Sequence, residues 1–330
     1  MSAGAVDLLH EGQEPGLPAA PKAGAREIAA LSPGQLFWRR LKQDKVAMGA
    51  LGFIILLCLV AIFAPLIVKL VGAPKPNVQS TKALDSFGTP TGPSSTHIFG
   101  VDPLGRDVFS RVLYGARVSL EVAIVATGIS VLIGVVVGLT AGFFRGTIDT
   151  ILSRTIDVLL AFPILLLALG IAAACSFGDG CLGGLIQPGL TVVIFVIAFV
   201  NWTYLARIVR GQVLSLREKE FVEASRSLGA SNSRTLFREI LPNLWAPIIV
   251  YTTFIVATNI LFEAALSFLG VGVQPPNPSW GAMIADAASI FDTAWWYMFF
   301  PGIALLLTVL AFNLLGDGLQ DALNPRGGRT

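Results

Sequence analysis

Few residues in this chain are of types that do chemistry, and they are scattered. The two histidines, His10 and His97, lie far apart. Neither sits in a cluster of Asp, Glu or Cys with ligand spacing, so no metal site and no acid–base pair is expected, and no catalytic residue is assigned. Of the three cysteines, Cys58 falls in an apolar run and Cys175 and Cys181 frame the stretch CSFGDGC. A separation of six through two glycines can close on a disulfide in an oxidising compartment; two free thiols fit the spacing almost as well. No Gly-Lys dipeptide exists, hence no Walker A loop to cradle a nucleotide. The densest polar group is the island EASRSLGASNSRTLFREILPN, residues 223–243, set between two apolar segments.

The elements that position these residues follow from hydropathy. The 330 residues are 54% hydrophobic and 13% charged, with mean hydropathy +0.73. A bilayer crossing takes about 20 mostly apolar residues. Six windows qualify: Val46–Val68, Val122–Phe144, Val158–Phe177, Gly180–Ala206, Ile240–Phe262 and Thr293–Gly316. A seventh, Ala264–Ala285, holds three prolines in GVGVQPPNPSWG and is expected to be a loop dipping toward the membrane surface. The expected fold class is an all-α membrane protein of six transmembrane helices. From Asp107, Val108, Val112, Leu113 and Leu120 recur at helical spacing, which predicts a helix along the outer surface before the second span.

The expected organisation is a disordered tail over residues 1–37, a first span with its outer segment over 38–117, a five-helix block over 118–318 with a polar loop at 207–242, and a tail over 319–330. Lysine and arginine set the orientation. With both termini in the cytoplasm, 15 of the 23 basic residues lie inside near the spans. Six lie outside, all within residues 69–117, and the remaining two are in the N-terminal tail. The net charge of +2 is accounted for by this bias and calls for no nucleic-acid partner.

Polar residues within spans are costly and mark paths or interhelical bonds. Asn201, Asn259 and Asn313 are the pathway candidates, with interhelical hydrogen bonding as the commoner role. Asp157 and Glu263 stand near span ends, where snorkelling competes. Gly134, Gly138 and Gly142 recur every four residues, a pattern for close helix packing within the chain or against a second membrane subunit.

In the island, Ser215-Leu216-Arg217-Glu218 fits a capping box opening a helix that runs to Leu228. Phe221, Ala224, Ser225 and Leu228 make a modest stripe, and Gly229 stops the helix. A second short helix carries Leu236, Phe237, Ile240 and Leu241, and Pro242 opens the next span. Such an elbow binds either another protein or lipid headgroups.

The island resembles the EAA loop of ABC-importer membrane subunits: Glu223, Ala224, Gly229, Leu241 and Pro242 match, and Ser225 replaces the second alanine. FGVDPLGRDVFSRVLYGARVSL, EAALSFLGVGVQPPNPSWGAMI and the terminal LNPRGG resemble the peptide- and nickel-importer branch, in particular its second permease subunit. The resemblance implies a type I importer permease of the bacterial plasma membrane. It also implies a coupling helix that docks into a cytoplasmic ATPase, with Glu223, Ala224, Ser225, Gly229, Leu241 and Pro242 at the contact. Implied partners are a homologous permease, two P-loop ATPase domains that bind ATP and magnesium, an extracytoplasmic binding protein and a di- or oligopeptide cargo. Nickel or another small solute is the alternative cargo. An ion-driven transporter is disfavoured by asparagines in mid-span where carboxylates would be needed, and a membrane enzyme by the isolated histidines.

Overall fold

The structure is a computed structural model that describes residues 32–176, 180–181 and 183–323. Ten helices organise the described residues: α1 Pro33–Gln43, α2 Lys45–Val71, α3 Val108–Phe144, α4 Gly146–Ala161, α5 Ile164–Ser176, α6 Leu190–Leu216, α7 Glu220–Ser227, α8 Asn232–Phe268, α9 Trp280–Ala288 and α10 Trp295–Leu323. Five of them, α2, α3, α6, α8 and α10, are long and apolar enough to cross a membrane, and the bent pair α4–α5 makes a sixth crossing when taken together. This is the all-helical membrane architecture that hydropathy predicts.

Where helices begin and end departs from the hydropathy windows, for local reasons. Val158–Phe177 is not one straight span: the chain turns by 88° between α4 and α5. Pro163 causes the break, because it lacks an N–H and forces Phe162 out of helical geometry, to φ −80 and ψ 141. Alone, α5 spans only about 20 Å. The surface helix expected before the second span does not exist as a separate element. Asp107 caps α3 by accepting from the Ser110 amide at 2.8 Å, and the helix then runs unbroken for 37 residues. The 117/118 boundary therefore falls inside a helix, and the 318/319 boundary falls inside α10. Residues 180–181 and 183–189 lie outside any helix, so the fourth span starts ten residues late at Leu190 and extends to Leu216. Ala264–Ala285 divides into the end of α8, a turn over 269–279, and the start of α9. Of the predicted N-terminal tail, residues 1–31 lie outside the described residues, and 33–37 belong to α1.

Packing follows the small residues. The most extensive seam joins α3 to α6, and Gly134, Gly138 and Gly142 line it. A Cβ on Gly138 would stand 2.6 Å from the Ala206 carbonyl oxygen and 2.7 Å from the Val209 Cβ, and one on Gly142 would meet Val213 at 2.7 Å. The stripe thus packs inside this chain. In contrast α2 is peripheral, joined to α3 and α10 through Ala50, Ile54 and Ala61 while Leu56, Ile62 and Phe63 face outward.

Candidate functional site

The polar island folds as an elbow, though it begins later than its sequence pattern suggests. Ser215 lies inside the last turn of α6, because the ladder continues through Arg217 N–H to the Val213 carbonyl at 3.0 Å. The Ser215/Glu218 capping box does not form, and α7 starts at Glu220 after the extended Lys219. Arg217 instead closes the end of α3, donating from Nη1 to the carbonyls of Gly142 at 3.2 Å and Phe143 at 2.7 Å. Burial, followed by the charges of Arg145 and Arg226, pulls its guanidinium below the usual arginine range. Glu218 pairs with Arg145, and Arg226 stacks over the Phe143 ring at 5.2 Å.

At its other end α7 closes as a Schellman motif. The Ala230 amide donates to the Ser225 carbonyl at 3.1 Å and the Gly229 amide to the Arg226 carbonyl at 2.9 Å. This geometry needs the left-handed backbone that Gly229 supplies at φ +82. Val222 is the buried side chain of this helix, set among Phe143, Val213, Ile240 and Leu244, and Arg226 adds its contact with the Phe143 ring. The predicted stripe faces the other way. Phe221 is 41% and Leu228 89% exposed, and with Ala224, Ser225, Gly229, Ala230, Arg234 and Glu239 they line a hollow of about 360 Å³. Glu223 is exposed beside it.

No separate second helix follows. Ser231 caps a helix that continues from Asn232 through Leu241 and Pro242 to Phe268. The ring and missing N–H of Pro242 are accommodated by a π turn over Thr235–Ile240, which widens the backbone just before it.

Deeper in the bundle, α6 and α8 meet through Asn201 and Asn259. Asn201 Nδ2 donates to Asn259 Oδ1 at 2.7 Å, and Asn259 Nδ2 donates to Thr127 Oγ1 of α3 at 2.8 Å. Both asparagines also line a cavity of about 440 Å³, with Tyr204, Tyr251, Phe254 and Thr258 among its walls. Asn313 is not brought to them; its amide bonds back to the Val309 carbonyl on α10 at 2.9 Å. Asp157 snorkels to an exposed pair with Arg207 at 2.6 Å. Glu263 does not snorkel. It is fully buried, accepting from Ser119 of α3 at 2.8 Å and from Ser267 at 2.7 Å. Local sequence could not reveal this, since Ser119 lies 144 residues away.

The end of the bundle opposite the elbow is closed by long-range polar clasps. Trp280 and Trp296 are buried, and their indole N–H groups donate to the Val112 and Val101 carbonyls at 3.0 and 3.1 Å. Asp102 pairs with Arg106 at 2.6 Å and Arg111 at 3.6 Å, and His97 with Asp107 at 2.8 Å. Cys175 and Cys181 are joined as a disulfide, their Cα atoms 4.8 Å apart.

The site thus consists of a bundle of helices long and apolar enough to cross a membrane, a cavity lined by a bonded asparagine pair, and a capped elbow at one end. The chain belongs to the family of binding-protein-dependent transport system inner membrane components, which matches residues 134–328. Residues 32–81 match the N-terminal transmembrane domain of oligopeptide transport permease C. Among curated relatives, the dipeptide transport system permease protein DppC of Alkalihalophilus pseudofirmus is 41% identical across 91% of this chain and 92% of its own length. The glutathione transport system permease protein GsiD of Escherichia coli is 43% identical across 89% and 91%. In fold, the chain is similar to a subunit of the inward-facing MetNI methionine ABC transporter, with a TM-score of 0.54, 18% identity, and coverage of 65% of this chain and 96% of that one.

Proposed function

We propose that this chain is one of two homologous permeases in an ATP-driven importer of di- or oligopeptides in a bacterial plasma membrane, with both termini cytoplasmic. The elbow is its contact with the ATPase. The observation that carries this reading is the exposed apolar rim of Phe221 and Leu228 around the Gly229 cap, on a short helix whose one buried side chain is Val222. An apolar surface of this kind is expensive to leave in water and is stabilised when a partner groove covers it. Glu223, Ala224 and Ser225 then meet the ATPase, and Leu241 and Pro242 carry the docked end into α8. ATP and magnesium are bound by the partner ATPases, and an extracytoplasmic binding protein delivers the cargo.

The cargo assignment is supported by the names of the relatives and by the cavity walls. Amides, hydroxyls and aromatic rings at Asn201, Asn259, Thr258, Tyr204 and Tyr251 suit a peptide backbone better than a bare metal cation. Asn313 bonds back to its own helix and is not among the residues that line this cavity. With the proposed orientation, the Cys175–Cys181 disulfide faces the oxidising exterior.

The test is extraction from native membranes in mild detergent followed by mass spectrometry of what co-purifies. A second permease and a P-loop ATPase in stoichiometric amounts are the expected result. A clean homo-oligomer without an ATPase would overturn the reading.

A further inference from the structure

The first helix has a task that the bundle does not explain. Ser32 and Gln35 form a reciprocal capping box at the start of α1. Asp44 ends it and at once begins α2, accepting from the Val46 and Ala47 amides at 3.0 Å each. The Asp44 backbone is extended, at φ −83 and ψ 98, so α1 is a separate element turned away from the spanning helix. One flank is held: Leu41 is buried against Ala47 and Ala322, with Phe37 beside it, where α2 begins and α10 ends.

The rest of α1 is open and mixed in a particular way. Leu36 and Trp38 are 39% and 44% exposed, and Arg39, Lys42 and Lys45 are exposed among them. Lys42 Nζ lies 5.3 Å from the Trp38 ring centroid. The apolar run of α2 starts at Val46, which is itself exposed. The open part of α1 therefore lies at the level where hydrocarbon gives way to headgroups. Indole rings favour that depth, and cations there are attracted to acidic lipid.

We propose that α1 is an interfacial helix that binds anionic phospholipid, its Leu36 and Trp38 reaching the acyl boundary on either flank of Arg39 and Lys42, which with Lys45 at the start of α2 gather phosphate headgroups. A protein partner is less suited to this face, because flexible exposed cations interleaved with single apolar side chains give no contiguous core to bury. The helix then fixes the entry of α2 at a set depth.

The test uses the full-length chain with its co-purifying subunits in nanodiscs of phosphatidylcholine, alone or mixed with phosphatidylglycerol. A bimane on Leu36→Cys, in a Cys58→Ala background, reports quenching by brominated phosphatidylglycerol against brominated phosphatidylcholine at equal mole fraction. The expected result is stronger quenching by the anionic lipid. The preference should fall in Arg39→Gln/Lys42→Gln/Lys45→Gln by up to about five-fold per cation removed, and persist in Lys42→Arg/Lys45→Arg. Equal quenching by the two lipids, or a preference unchanged in the triple glutamine variant, overturns the proposal. Absence of quenching by either lipid would place α1 against protein and overturns it too. Elution of each variant with the same subunits controls for folding.

Discussion

The two ends of this bundle are built on opposite rules. At the elbow end, α7 buries one valine, lays Arg226 over the Phe143 ring and shows phenylalanine and leucine to the surroundings, with Phe237 57% exposed nearby. At the other end, the segment before α3 and the turn after α8 are folded inward. Two indoles reach backbone carbonyls across more than 160 residues of sequence, and Asp102, Asp107 and Arg111 are buried. One end pairs its buried polar groups with one another, the Nε of Arg111 excepted; the other leaves apolar surface unpaired. The difference teaches where the chain covers its own surface and where, under the proposed function, another protein would.

If that contrast is right, substitutions at the clasped end cost stability and those at the elbow cost transport. The largest loss is expected for Trp280→Ala, which empties a fully buried site and removes the indole bond to the Val112 carbonyl: about 3–5 kcal/mol, read by unfolding in detergent. A variant as stable as the parent would break the comparison. Opening the disulfide by Cys175→Ser should cost about 2 kcal/mol for so short a loop. Alkylation before and after reduction gives the accompanying thiol count, and an unchanged count would show that no bridge exists. Glu263→Ala leaves the Ser119 and Ser267 hydroxyls without their acceptor and should cost about 1–3 kcal/mol. Glu263→Gln should recover part of that loss, and equal losses in the two variants would mean the carboxylate's hydrogen bonds are not what matters.

At the elbow, Leu228→Glu should shift stability by less than about 0.5 kcal/mol, since the side chain touches little. Peptide uptake and ATPase co-purification should fall at least several-fold. Gly229→Asp sharpens the same contrast: no neighbouring atom crowds the site, so only the left-handed backbone resists the change. Its uptake should fail well before its fold does. Normal uptake by either variant would remove the elbow from the coupling role.

Sequence revealed these regions unevenly. Runs of apolar residues announce spans because a bilayer demands them, and Gly229 announces a helix end because few other residues adopt its backbone. The Ser215/Glu218 box was misleading: its local pattern is sound, but continuing α6 lets Arg217 reach the end of α3, and that tertiary bond prevails. Val222 was hidden as the anchor because the eye follows the longer apolar stripe of Phe221 and Leu228, which faces outward. Glu263 looked like a boundary residue because the apolar window ended beside it, whereas α8 continues to Phe268 and carries it into the core. The 88° turn at Pro163 was legible in principle, since proline in mid-span forces the preceding residue out of the helix.

The unbroken course of α8 has a mechanical meaning. One rod of 37 residues, about 55 Å long, starts beneath the elbow, passes Asn259, and ends at Glu263 and the turn beyond it. A tilt of roughly one degree at its near end carries the far end through about 1 Å. The regular ladder is interrupted near its elbow end, by the π turn at Thr235–Ile240 and by Pro247 one to two turns further on. Under the proposed coupling, the helix acts as a lever whose irregular turns lie next to its handle, and its regular remainder would carry a small push at the elbow to the opposite end of the bundle.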